Sequence, residues 1–188
     1  MQNLNYGVIG NCSTAALISE KGAIEWLCFP EFDSPSVFAA ILDRQKGGHF
    51  GFKVTSDYKV TQSYVPHTNI LSTHFESEEG AFDVVDFMPC YPTSDGKDFY
   101  RPAEIYRYIR WAKGRPRMKV DYRPAPNYAR GKTIYNVTSQ YVETYSSVEN
   151  KDRQYLYSSL DLKKVVNHDE ITLSLIHISE PTRQEAIS

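Results

Sequence analysis

The sequence is poor in cysteine, methionine and tryptophan, with three Cys, three Met and two Trp in 188 residues. The thiols at Cys12, Cys28 and Cys90 form no Cys-x-x-Cys and no Cys/His cluster. That excludes a disulfide-stapled scaffold and a zinc-finger type of site. No apolar run approaches the ~20 residues of a membrane span, so no membrane partner is expected. Neither sign of charge dominates, since 21 Lys+Arg against 23 Asp+Glu leave a net charge of -2. A nucleic-acid binder needs a basic face that releases counterions, so nucleic acid is not an expected partner. The segment from Met1 to Asn11 lacks an apolar h-region, so no secretory leader is expected and the expected location is cytoplasmic. His49, His67, His74 and His168 are scattered without ligand spacing, so no metal is expected. Gly7-Val8-Ile9-Gly10 is too short for a phosphate loop and leads into strand-like sequence. What is present, 41% hydrophobic and 23% charged residues, suits a folded domain.

The last sixteen residues differ in kind. Leu173 to Arg183 reads as the translation of a sequencing-library adapter, and Ile187-Ser188 resumes it after three codons that a variable index would fill. Residues 173–188 are therefore set aside as a non-native tail, and 1–172 is read as one domain, possibly clipped at its end, from the front of a longer protein.

Strand signals dominate this domain. Thr14 to Ser19 and Ala23 to Phe29 flank a turn at Glu20-Lys21-Gly22. With Lys21-Gly22 as the loop, Ala15 faces Cys28, and no disulfide forms across the hairpin. One helix is expected near 35–43: Asp33 and Ser34 as cap, Pro35 in the first turn, then Val37, Phe38, Ile41 and Leu42 on one face. Further strands are expected at His49 to Val54, Tyr58 to Val65, Ile70 to Ser77 and Ala81 to Phe87. Ile105 to Lys113, Met118 to Arg123, Thr133 to Thr144, Gln154 to Leu160 and Leu162 to Val166 complete the set. Along Ile105 to Trp111, Ile105, Arg107, Ile109 and Trp111 share one face, and Tyr106, Tyr108 and Arg110 share the other. Tyr91 to Arg101, with two prolines and a Ser-Asp-Gly turn, reads as a loop. Many short strands separated by turn signals predict a mainly β fold, an antiparallel β-sandwich of the super-sandwich type.

Several blocks in order carry a resemblance. They are Tyr6-Gly-Val-Ile-Gly-Asn-Cys-Ser-Thr-Ala-Ala-Leu-Ile-Ser19 and Gly22-Ala-Ile-Glu-Trp-Leu-Cys-Phe-Pro-Glu-Phe-Asp-Ser-Pro-Ser-Val-Phe-Ala39. Gly47-Gly-His-Phe50, Tyr64-Val-Pro-His-Thr-Asn-Ile-Leu71 and Val85-Asp-Phe-Met-Pro89 follow, with a weaker match from Arg123-Pro124 to Tyr128-Ala129-Arg130. Together they resemble the N-terminal domain of bacterial and archaeal glycoside hydrolase family 15 proteins, the glucoamylase and trehalase-like group. Glu25, Glu31 and Ser13 depart from the family's usual residues, and the last two remove positive charge.

The resemblance implies a β-sandwich that packs against a C-terminal (α/α)6 barrel. That barrel carries a general acid and a general base, glutamates that invert the anomeric centre without any cofactor. An inverting pair must sit ~6.5–9.5 Å apart across a sugar pocket. In this family the pair lies beyond the present sequence, so no catalytic residue is expected here. The implied partner is the barrel of the same polypeptide, and the implied substrate of the parent is an α-glucan or trehalose. Asp33 has two readings, a cap and a sugar contact. Asn11, Thr14 and Trp26 either fix strand entry and core or line the substrate entrance, since pockets favour domain interfaces. Tyr128 and Arg130 are either rim and interdomain contacts or a solvated loop. Asp86 reads as a strand-end hydrogen bonder. The alternative function is a free-standing carbohydrate-binding module built on exposed aromatics.

Overall fold

Short apolar segments interrupted by Gly, Pro and Asx turns favour short strands over long helices. The structure, a computed structural model, describes residues 4–54, 57–148 and 153–173. In chain order the strands are β1 (Tyr6–Gly10), β2 (Ala15–Ser19), β3 (Ile24–Cys28), β4 (Ser36–Phe38), β5 (His49–Lys53), β6 (Lys59–Tyr64), β7 (Leu71–Glu76) and β8 (Gly80–Phe87). They continue with β9 (Tyr91–Pro92), β10 (Phe99–Tyr100), β11 (Tyr106–Gly114), β12 (Arg117–Arg123), β13 (Thr133–Val137), β14 (Tyr141–Ser146) and β15 (Gln154–Tyr157). Helix α1 (Leu162–Asn167) and β16 (Glu170–Thr172) close the described chain.

The larger sheet runs β1-β2-β3-β5-β12-β16, with β4 paired to β3. The second sheet runs β11-β8-β7-β6, and β13-β14-β15 forms a third. All pairings are antiparallel. The two main sheets meet face to face, as a β-rich sandwich requires. Ile9, Ile18 and Leu27 of the first share one core with Leu71, Phe75, Phe82 and Val84 of the second. Phe52 on β5 meets Phe75 and Phe82 edge-on at 6.3 and 6.5 Å between centroids. The hairpin at 15–28 has the expected register at Ala16–Leu27 and Leu17–Trp26, but a bulge then pairs Ile18 with Ile24, and Ser19 N bonds Ala23 O across a turn of Glu20, Lys21 and Gly22 in place of the two-residue loop. Cys12, Cys28 and Cys90 are free thiols. The outer edge of β1 is closed by side chains. Tyr64 Oη accepts from Val8 N at 2.7 Å and donates to Val8 O at 2.9 Å, and Asn69 Nδ2 donates to Gly10 O at 2.6 Å. No helix among the described residues is long and apolar enough to cross a membrane.

Four secondary-structure expectations are corrected. No helix forms over 35–43, because Ser36–Phe38 joins the sheet through Leu27–Phe38 and Cys28–Ser36 pairing. Ser34 and Pro35 therefore cap nothing, and Asp33 is exposed. Ser34 instead accepts from Glu31 N at 3.0 Å and closes a turn. The short helix lies at Leu162–Asn167, where a strand was expected. Asp161 caps it by accepting from Lys163 N, and His168 ends it in the left-handed conformation, φ 58°. The expected loop over Tyr91 to Arg101 contains the paired strands β9 and β10. The expected single strand over Thr133 to Thr144 is the hairpin β13–β14. Leu173, read as part of the tail, is buried and donates N–H to Pro116 O at 3.0 Å. Residues 174–188 lie outside the described residues.

One charged residue joins the sheets. Arg107 on β11 points inward, as the face analysis expects, and its side chain is 4% exposed. Its Nε donates to Asp86 Oδ1 at 2.8 Å and its Nη2 to Asp86 Oδ2 at 3.1 Å, both within the second sheet. The same guanidinium donates across the sandwich to the carbonyls of Phe50 and Gly22. It also stacks on the Phe50 and Phe52 rings, with Cζ 4.8 and 5.0 Å from their centroids. Gly22 turns the β2–β3 hairpin at φ 74°, and a Cβ there would lie 3.0 Å from Phe75. Removing one partner of a buried pair strands the other charge, so Arg107→Ala should cost about 4 kcal/mol. Urea denaturation of the chain is the measurement, and an Arg107→Met/Asp86→Leu double variant should recover most of the loss.

Candidate functional site

Loops from several strands converge at one end of the sandwich, where most of the expected site residues lie. Asn11 follows β1, is 1% exposed, and organises the local turn. Its Oδ1 accepts from Ser13 N at 3.1 Å and Thr14 N at 3.2 Å, and its Nδ2 donates to Pro102 O at 3.0 Å. Thr14 is equally buried, and its Oγ1 donates to Cys28 O at 2.6 Å. Both side chains are thus engaged with backbone, while Phe32 in the adjoining loop is 63% exposed. Trp26 is half-buried on the outer face of the first sheet, in register with Leu17, which in turn pairs with exposed Val8. Trp111 faces inward against the core, and its Nε1 donates to Gly114 O at 2.9 Å.

Tyr128 and Arg130 sit on a backbone that L-residues resist. Asn127, Tyr128 and Ala129 all have φ between 54° and 57°. Each such residue costs of order 1–2 kcal/mol. The turn is held by Tyr128 N donating to Ser36 O and Ala129 N to Ala125 O. It sets the Tyr128 hydroxyl against Cys28. Burial pushes the Cys28 thiol up, and the hydrogen bond with Tyr128 opposes this. The Arg130 guanidinium lies 5.9 Å from the Tyr128 ring.

The same turn forms one wall of a cleft of about 350 Å³. Arg44, Lys46, His49 and Arg123 line it, together with backbone near Gly48, Pro124 and Ala129. Beneath lies Asp121 on β12, with its side chain 3% exposed. Its oxygens are 2.8 Å from His49 Nε2, 2.9 Å from Lys53 Nζ, 2.6 Å from Arg123 Nε and 3.7 Å from His168 Nδ1. His49 and Arg123 stand opposite each other in the β5–β12 register. This cluster was not expected, because His49 and Asp121 are 72 residues apart in the chain and are brought together by the β5–β12 pairing. A second cleft, near Tyr6, Gln62 and Tyr64, holds one carboxylate, Glu20. Among the described residues no three His, Cys, Asp or Glu side chains are grouped to hold a metal ion.

The family model described as "Trehalase-like, N-terminal" matches residues 5–151. A trehalase of Thermoplasma volcanium is 36% identical over 132 residues, which are 69% of this chain and 20% of that protein. A trehalase of Thermoplasma acidophilum is 33% identical over 155 residues, 81% of this chain and 26% of that protein. Trehalase 1 of Sulfolobus acidocaldarius is 51% identical over 85 residues, 44% of this chain and 14% of that protein. The chain thus spans about a quarter or less of the curated relatives it matches. No solved structure matches it significantly.

A glycosidic general acid must stay protonated near neutrality, which requires a raised pKa. Three buried carboxyls here, Asp121, Asp83 and Glu143, move the other way. Burial raises Asp121, but hydrogen bonds from His49, Arg123 and Lys53 outweigh it and hold the group well below the usual carboxylate range. Asp83 is likewise raised by burial and brought lower by His74 and Arg110, and Glu143 is lowered first by its bond from Arg153. A depressed folded-state pKa stabilises the fold above the unfolded carboxylate pKa of about 4, and that contribution is lost as pH falls toward the folded value. Asp121→Asn should therefore destabilise the chain by about 3 kcal/mol at pH 7, with the gap to the parent narrowing steadily below pH about 4. Thermal unfolding of both proteins across that range is the measurement.

Proposed function

Because the chain belongs to the family of trehalase-like N-terminal domains, we propose that it is the non-catalytic β-domain of a longer glycoside hydrolase. It supports a catalytic domain in the remainder of the polypeptide, and its loop end borders that domain's substrate entrance. The observation that carries this reading is the state of the carboxyls. Neither cleft has two acidic side chains on its walls, and the buried Asp83, Asp86, Asp121 and Glu143 are each bound to a cationic partner. The acid and base of the reaction then belong to the missing part, as glutamates of a helical barrel. Trehalose is the substrate class favoured by the printed names of the relatives, with other α-glucosides of the glucoamylase type next. The same proposal includes a cytoplasmic location, which suits the three free thiols.

The loop end supports the docking role. Tyr128 stands exposed beside Arg130, on a turn whose strain only tertiary contacts can hold, and Phe32 stands exposed on the loop after β3. A second reading, a carbohydrate-binding module, is favoured by exposed tyrosines elsewhere on the molecule. The experiment is direct: the 188-residue chain, incubated with trehalose or maltose, should release no glucose above the buffer rate. Turnover by this chain alone would overturn the reading.

A further inference from the structure

The outer face of β11-β8-β7-β6 carries a pattern that the core does not need. Tyr106 and Tyr108 project from it, 48% and 41% exposed. Two residues apart on one strand, they stand about 6.6 Å from each other along the sheet. Phe87, opposite Tyr106, stacks on it at 5.2 Å between centroids and 7° between planes. Behind Tyr108 the register continues through Val85 and Ser72 to Ser63. The next row is Arg110, Asp83, His74 and Thr61. There Asp83 accepts from Arg110 Nη2 at 2.8 Å and pairs with His74 Nδ1 at 2.6 Å, which fixes both side chains. Beyond them Lys113 pairs with Glu76 at 2.5 Å.

We propose that this face is a surface site for a neutral α-glucan chain, with Tyr106 and Tyr108 as the rail on which sugar rings stack and Arg110 and His74 as hydroxyl-binding groups. Most charges on the face are paired, Arg110 with Asp83 and Lys113 with Glu76, with Lys59 beside that second pair, so the face offers directional hydrogen-bonding groups and no unbroken basic strip. Rigid tyrosines give a large contact area at low entropy cost, and hydroxyl-bearing Ser63, Ser72 and Thr61 form a flat, polar floor. A protein partner would be better matched by a wholly apolar centre. The site would hold polymer on the surface of this domain. The choice of an α-linked glucan rests on the proposed membership in a glycoside hydrolase; the stacking geometry does not.

The test is a titration of the 188-residue chain with maltoheptaose, with trehalose as the short-ligand arm, followed by calorimetry and saturation-transfer NMR. Saturable binding of maltoheptaose is expected, weakened about ten-fold by Tyr108→Ala and largely retained in Tyr108→Phe. Tyr157→Ala, on the separate β13-β14-β15 sheet, should leave it unchanged. Absence of saturable binding, or binding indifferent to Tyr108→Ala, overturns the proposal. So does concentration-dependent dimerisation that Tyr108→Ala abolishes, since the face would then belong to a second copy. Glucose release by the chain would sink the non-catalytic reading and leave this one standing, so the two failures are distinguishable.

Discussion

A single buried guanidinium fixes how the two sheets face each other. Arg107 enters the core from β11, is neutralised by Asp86 on the neighbouring strand, and spends its remaining donors on carbonyls of the opposite sheet. Such a group tolerates no slippage. Because side chains alternate along a strand, a one-residue shift of β11 would place Tyr106 or Tyr108 inside and leave Asp86 without its partner. An ion pair of this kind need not raise net stability over an apolar core. What it does here is restrict the fold to one register and one sheet-to-sheet offset. The outward exposure of Tyr106, Tyr108 and Arg110 follows from the same parity.

Asp121 plays a comparable part at the other sheet's far strands. It gathers His49 and Lys53 from β5, Arg123 from its own strand and His168 from the end of α1. The strand β16 that follows α1 is thereby anchored beside β12, where it also pairs directly. Of the two hubs, Asp121 shows why an inward carboxylate of this kind is unsuited to donating a proton: burial raises its pKa, but hydrogen bonds from His49, Arg123 and Lys53 outweigh that and favour the ionised form. Structural use and catalytic use of a buried carboxylate are in conflict, and Asp121 serves structure.

The alternation that defines the sandwich was legible wherever one strand face is buried. The inward placement of Arg107 with Ile109 and Trp111 was readable from parity alone, although its partners across the sandwich were not. Local cap chemistry misled at Asp33-Ser34-Pro35. Those residues do suit a helix start, but Val37 and Phe38 gain more by pairing with β3 and entering the core than a two-turn helix could return. The converse error occurred at Leu162, where a capping Asp161 and apolar residues three apart mark a helix in a segment short enough to pass for a strand. At the loop end, Asn11 and Thr14 stood out because they lie in a recognisable block, and the structure shows them bonded to backbone. The Asp121 cluster left little local trace, since His49 and Lys53 reach it through the β5–β12 pairing and His168 from the end of α1.

The supporting role and the sugar-binding face do not compete for the same surface. Phe32 lies on the loop between β3 and β4 and Tyr128 and Arg130 on the one that leads from β12 to β13, whereas Tyr108 and Arg110 lie on the outer side of the second sheet. A catalytic domain seated against the loops leaves the tyrosine rail open, as long as it does not wrap around β11. The two surfaces also differ in how they are held. The loop surface depends on a left-handed turn that packing must maintain, so it can respond to a partner that relieves or reinforces it. The rail stands on β11, an edge strand whose register with β8 is unbroken from Tyr106 to Trp111 and which Arg107 pins from below, and that suits a ligand needing fixed spacing more than adaptation. The division of labour therefore follows from backbone geometry: adjustable contacts at the loop end and preorganised contacts on the sheet.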